Sequence, residues 1–376
     1  MHQEKNFASV VCAARLNIPT IIIPCGYQGC GIFRGQRADI DDVYESTGAV
    51  AAGKMSVAEQ QQLASKAVTT PGVCAGLATA NTMHVLAEVL GMALPGYAPI
   101  AATSPRLQEV AALAGERIVT MALHQSPLPR DILTAPALRN AVIVDVAMGG
   151  SVNSVRHLAA IAAEAELNLD IVSLLAERTE ETPLVCLIRP NGSHEISELE
   201  AAGGAAGLLK RLEAHLDTST RNVAGTTLSE VLSTTEEPDP NVIKPLTSPY
   251  SPTGGLQILY GNLAPNGAIL KRASVNIGRP AHRGPARIFG SEYEAISAIG
   301  AGGIRPADVI VLRGMGPKGG PGTVLAAGLA AALHGAGLGE TVAAITDGEL
   351  SGLNHGLIVG QVMPEAADGG PLGKLI

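Results

Sequence analysis

The chain has 376 residues, a formal net charge of −8 and 46% hydrophobic residues, with 44 glycines, no tryptophan and 2% aromatic side chains. Such a length buries at least one substantial core and makes two domains the expected number, while an acidic balance without a basic stripe gives a nucleic-acid partner nothing electrostatic to hold. No apolar run approaches the ~18 to 20 residues of a membrane helix, and Met1–Asn6 lacks the regions of a secretory signal, so a cytoplasmic protein with no membrane partner is expected.

Through the first two thirds, short β-branched runs alternate with Ala-rich helical stretches. Thr20–Ile23, Val142–Val146 and Leu184–Ile188 read as strands, the pattern of a parallel sheet covered by helices. One helix is predicted from Thr79 or Asn81 to Leu90 with Gly91 as its stop, and another over about Val155–Glu166. From Ser229 to Pro252 the composition shifts to Thr, Glu, Asp, Pro and Ser, which reads as a linker or domain crossing. Strands are then predicted at Leu256–Tyr260, Ala268–Leu270, Ala286–Phe289, Val309–Leu312 and Val342–Thr346, with an Ala-rich helix at Val324–Leu333. The expected fold class is α/β: an N-terminal layered α/β/α domain with a parallel sheet over 1–232, a crossing at 233–252, and a C-terminal β-rich, barrel-like domain over 253–376.

Three stretches carry candidate chemistry. The run Gly316–Gly322 lies between a predicted strand and a predicted helix. Its amides around Lys318, Gly319 and Gly320 can cradle a carboxylate or phosphate, and the same spacing also fits a tight turn. In Thr346–Gly352, Ser351 falls on a turn at a strand end, where it is either an ordinary turn serine or, beside a cation, a base or nucleophile. Cys74 stands on a Gly-rich loop ahead of a helix, a place that favours a thiolate, although a single cysteine there also suits a small buried hydrophobe.

The other cysteines are Cys12, Cys25, Cys30 and Cys186, an odd total with Cys74 that argues against a secreted disulfide framework. Cys25 and Cys30 share a glycine loop after a predicted strand, which allows a metal or cluster site, a reducible disulfide or two inert thiols. His157 reads as a helix-packing residue or a substrate contact.

The strings "ARLNIPTI", "TANTM", "EVLGMALPG", "GGSVNSVRHLAAIA", "VAGTTLSE", "PYSPTGGL", "GNLAPNGAILK", "GPARIF", "GPKGGPG", "TDGELSG" and "PEAADGGPL" follow one another from about Ala13 to Leu372. In that order the chain resembles the dihydroxy-acid dehydratase / phosphogluconate dehydratase family. The resemblance implies removal of water from a 2,3-dihydroxy acid or sugar acid to give a 2-keto acid, with an iron–sulfur cluster and Mg2+ as cofactors. It implies Ser351 as the base and Cys74 as a cluster thiolate, with Lys318, Gly319, Gly320 and Ser251 at the substrate and a homodimer paired across the first domain. Cys25 and Cys30 are candidate replacement ligands.

Several positions depart from the family pattern. The family's Cys-Asp-Lys motif falls on Met1–Phe7, which holds no cysteine; with one deletion Glu4 and Lys5 stand in for its metal carboxylate and lysine and Gln3 for its thiolate, whereas the ungapped register puts His2, Gln3 and Glu4 there. Glu349 and Leu350 replace an arginine and a phenylalanine, and Thr247 replaces a glutamate. A further cysteine and carboxylate of the family have no counterpart in this sequence. The ligand count therefore opens a second expectation, a dehydratase-like pseudoenzyme or subunit that binds hydroxy acids, and a third, a fragment.

Overall fold

The computed structural model describes residues 5–274, 281–320, 322, 327–350 and 356–376, the side chains of Lys5, Asn6 and Ala327 excepted. The chain divides into two compact units, Met1–Gly29 with Thr70–Gly255, and Cys30–Thr69 with Leu256–Ile376. No helix among the described residues is long and apolar enough to cross a membrane.

The first unit is built of helices. Its centre is Thr79–Val89, buried at every position, packed against Ala135–Met148. The run Val142–Val146 lies inside the second of these helices and not in a strand. Thr134 caps its start by accepting from the Ala137 amide, a proline occupies the first turn, and Gly149 ends it in the left-handed conformation. An apolar stretch buried all round carries no period that separates helix from strand, and here the flanking caps decide.

The expected parallel sheet is reduced in this unit to single bridges. The Tyr27 segment lies parallel to those of Val73 and Ala101. The Gln28 amide donates to the Val73 carbonyl at 2.8 Å, and the Tyr27 amide to that of Ile100 at 2.9 Å. The Ile22 amide donates to the Met92 carbonyl, and Leu184 and Cys186 make isolated antiparallel bridges to Ser251 and Ile243.

The second unit carries a six-stranded sheet. After a two-stranded ribbon, β1 (Gly31–Phe33) and β2 (Gln36–Ala38), come β3 (Leu256–Gly261), β4 (Ala264–Lys271), β5 (Ala286–Phe289), β6 (Val309–Leu312), β7 (Ala343–Thr346) and β8 (Ile358–Gly360). The sheet order is β3-β4-β8-β7-β6-β5, antiparallel from β3 to β8 and parallel from β8 to β5. The five strands expected from Leu256 onward are present; β8, only three residues long, is additional. Among the described residues β3 and β5 are the open edges, so the ladder is that of an open mixed sheet and not a closed barrel.

Segment 30–69 joins this unit through a glycine contact. Helix Ile40–Ala51 lies against helix Ala327–Ala336, and a methyl group on Gly48 would meet the Ala331 carbonyl oxygen at 2.0 Å, one on Gly335 the Gly48 carbonyl carbon at 2.1 Å. Only residues without a side chain allow backbones so close.

Candidate active site

In the first unit, the loop bearing Cys74 runs directly into helix Thr79–Val89. Ala78, at the cap position, supplies no side-chain acceptor, and the helix start is held by its own polar residues. Thr79 and Ser151 hydroxyls are 2.8 Å apart, the Asn153 side-chain amide donates to Thr79 Oγ1 at 3.2 Å, and the Ser151 amide donates to Thr82 Oγ1 at 3.1 Å. These contacts bring the N-terminus of helix Ser154–Glu164 beside that of Thr79–Val89. Beneath them Ser154 Oγ donates to the buried Asp145 carboxylate.

Asn81 fixes the cysteine loop. Its Nδ2 donates to the carbonyls of Cys74 and Gly76, each at 2.8 Å, leaving Oδ1 toward His84 Nδ1 at 3.3 Å. The other ring nitrogen of His84 is 3.6 Å from Cys25 Sγ. Burial pushes the His84 imidazole down to about 4, so the ring is neutral at physiological pH.

The Cys25 and Cys74 segments are therefore neighbours, joined by the Val73 amide donating to the Gly26 carbonyl at 2.9 Å. Cys25 is exposed and Cys74 half-buried. Cys30 belongs to the second unit, where it bridges to Val68. All five cysteines are free of disulfides, and burial pushes the Cys186 thiol up to about 12, which leaves it protonated and inert.

His157 stacks on Phe7, ring centroids 3.9 Å apart. Among the described residues its Nδ1 and the Asn153 Oδ1 one turn earlier are buried without a hydrogen-bond partner. Ser251 is buried in the same unit: its carbonyl accepts from the Leu184 amide at 2.9 Å and its hydroxyl lies 3.3 Å from that of Thr253. Nothing connects it directly to the Cys74 loop among the contacts of the described residues.

In the second unit, the loops that follow β6 and β7 leave the carboxyl ends of parallel strands, where open α/β sheets place their ligands. Two buried carboxylates organise them. Asp347 accepts from the amides of Gly314 (3.1 Å), Met315 (2.8 Å) and Ala366 (2.8 Å). Glu365 accepts from the amides of Lys318 (3.1 Å) and Gly319 (3.2 Å). A methyl group on Gly316 would stand 2.0 Å from a Glu365 oxygen, so the glycine makes room for the carboxylate. Gly320 donates to the Gly316 carbonyl, and Lys318 Nζ pairs with Asp368 at 2.5 Å, which raises the Lys318 pKa.

Thus the glycine loop does cradle a carboxylate, and the carboxylate is the chain's own. Asp347 and Glu365 were not singled out from sequence; the signal available was an acid beside a glycine-rich turn whose amides need acceptors. His84 and Asn81 were also missed as a pair, although three residues apart on a helix puts them on one face. Ser351 and Glu4 lie outside the described residues, as does the Lys5 side chain.

A cavity of about 740 Å³ lies over the sheet, its walls apolar at Leu259, Val309 and Val359 with Arg272 and His282 at its polar part. It shares no lining residue with the two loops.

Residues 5–231 match the family described as Dihydroxy-acid/6-phosphogluconate dehydratase N-terminal, and residues 241–376 its C-terminal counterpart. The chain is 44% identical over 364 residues to a dihydroxy-acid dehydratase of Methanothermobacter thermautotrophicus, covering 96% of this chain and 66% of that protein. It is 42% identical over 365 residues to that of Carboxydothermus hydrogenoformans, with the same coverage, and 43% identical over 363 residues to that of Moorella thermoacetica, covering 96% and 65%. The chain thus spans just under two thirds of the length of these curated relatives. With both halves matched and identity sustained across nearly all of its residues, this chain belongs to the dihydroxy-acid/6-phosphogluconate dehydratase family.

Proposed function

We propose that the chain is the core of a hydro-lyase that converts a 2,3-dihydroxy carboxylic acid into the 2-keto acid. The observation that carries this reading is the 42–44% identity across 96% of the chain to relatives named as dihydroxy-acid dehydratases. In the reaction the C2 proton and the C3 hydroxyl leave as water, and the enol so formed takes up a proton at C3 as it becomes the ketone. Ser351 is assigned the C2 proton from the family resemblance.

Lys318, Gly319 and Gly320 are placed at the acid's carboxylate by the same resemblance. Binding there competes with Glu365 for the Lys318 and Gly319 amides. The family's iron–sulfur cluster and Mg2+ supply Lewis acidity when bound. Cys74, on the loop that leads into a buried helix, suits a thiolate ligand. Among the described residues no three His, Cys, Asp or Glu side chains come together as a metal site, so they do not make up either ligand set. A homodimer in the cytoplasm completes the reading.

The test is a 2-keto acid assay on purified, reduced protein given a panel of branched 2,3-dihydroxy acids and sugar acids, with hydrazone trapping of the product. Keto acid from at least one substrate is expected, with at least a 100-fold loss in S351A, since general-base catalysis contributes ~10²–10⁴-fold. Retained binding of the acids with no product from any of them would replace this reading by that of a non-catalytic subunit.

A further inference from the structure

We infer that the cavity over the sheet of the second unit is a binding site for a straight-chain aliphatic carboxylate, its carboxylate on Arg272 and its chain along the apolar wall. The site is separate from the dehydration.

The wall follows from strand alternation. Val309 on β6, Ile345 on β7, Val359 on β8 and Leu259 on β3 line the cavity from one face of the sheet, while Ile310 and Leu312, which alternate with that set on β6, are fully buried. β6, β7 and β8 are interior strands, yet Val309, Ile345 and Val359 are only half-buried. Leu372 and Leu375 cover part of this face, in one cluster with Ile345 and Val359. The space beside them is about 740 Å³, within the ~300–1,000 Å³ of small-molecule sites, and apolar walls with a few convergent polar groups are the mark of such sites.

The polar groups gather at one end. Arg272 directly follows β4, beyond the Leu270–Val359 pair and so toward the start of β8, and His282 Nε2–H donates to the Ala307 and Asp308 carbonyls, at 3.2 Å each, just before β6. Arg287 is engaged by Asp308 at 3.3 Å and Arg313 by the Leu375 carbonyl at 2.5 Å, whereas no carboxylate among the described residues pairs with Arg272. The sequence there has one sign: residues 263–291 carry Lys271, Arg272, Arg279, Arg283 and Arg287 and no Asp or Glu, in a chain of net charge −8. A guanidinium takes a carboxylate in two parallel hydrogen bonds. An unbranched alkyl chain asks only apolar contact of the remaining wall, while a polyhydroxylated acid would lose water from hydroxyls that Val309, Ile345 and Val359 cannot bond. That selects an aliphatic acid over the dihydroxy acids of the proposed reaction.

The experiment is calorimetric titration of the whole, reduced chain with n-hexanoate, n-octanoate, n-decanoate and 1-decanol. One site is expected, with a Kd for decanoate below about 1 mM, and affinity should rise about 4-fold for each added CH2. R272Q should weaken decanoate about 10-fold or more, and 1-decanol should bind the wild type weaker than decanoate by the same factor. Leu259→Trp, at the end away from Arg272, should weaken decanoate more than hexanoate. No binding of decanoate, affinity that ignores chain length, or full affinity in R272Q would overturn the site. Displacement of decanoate by a 2,3-dihydroxy acid would also overturn it, by giving the cavity to the dehydration substrate. Should R272Q fail to fold, the chain-length series and the acid-to-alcohol ratio on the wild type decide.

Discussion

Each unit contains a buried carboxylate that gathers three backbone amides, and the two do so in different ways. In the first, Glu88 reaches Gly96, Tyr97 and Ala98, consecutive residues of one nearby loop, at 2.7–3.0 Å. In the second, Asp347 clasps Gly314, Met315 and Ala366, from two segments distant in sequence. The first arrangement shapes a loop that its own helix already adjoins. The second ties together the segments beyond β6 and β8 that frame the candidate site. Removing Asp347 should therefore have the larger effect: D347A leaves three amides without their acceptor and is expected to cost about 3–5 kcal/mol in urea unfolding. A loss under about 1 kcal/mol would mean that water replaces the clasp.

Glu88 sharpens the contrast through pH. Its burial outweighs the three amides and the nearby Arg106, and pushes the carboxyl up to about 7 from 4.5. The folded state therefore binds this proton more tightly than the unfolded state. The resulting stability is fully present below pH 4.5 and is lost as pH rises through about 7, an interval worth about 3 kcal/mol. Unfolding measured from pH 4.5 to 8 should show the wild type losing stability relative to E88Q by that order. Parallel curves would show that the amides, not burial, set the charge state of Glu88.

The strands of the second unit were legible because β5, β6 and β7 are short runs between glycine and proline turns, β6 being β-branched at three of its four positions, and no helix of that length competes. Val142–Val146 is as β-branched as β6 and became helix, because Thr134 and Gly149 set its ends beyond the reach of the apolar pattern. The helix starting at Thr79 was legible from its polar opening and Gly91. What sequence could not supply was partnership at long range. Cys25 lies 59 residues from His84, and the Gly48–Gly335 approach that draws segment 30–69 into the second unit spans most of the chain. Cys25 and Cys30, five residues apart, fall in different units. Of the candidate site, the glycine loop was visible and its occupant was not: Glu365 is 46 residues beyond Gly319.

That occupant gives the smallest of the expected effects and the most specific one. Among the described residues the Glu365 carboxylate accepts from two amides, where that of Asp347 accepts from three, and E365Q keeps one oxygen for them. The stability loss should be about 1 kcal/mol, close to one hydrogen bond. Its functional consequence is separable from that loss. If Glu365 holds the place of a substrate carboxylate at Lys318 and Gly319, weakening it should tighten binding of a hydroxy acid in E365Q, read by calorimetry, while D347A gains nothing because it loses the loop's position as well. Equal or weaker affinity in E365Q would make Glu365 a permanent part of the loop, and the amides it holds would then have no role at the substrate.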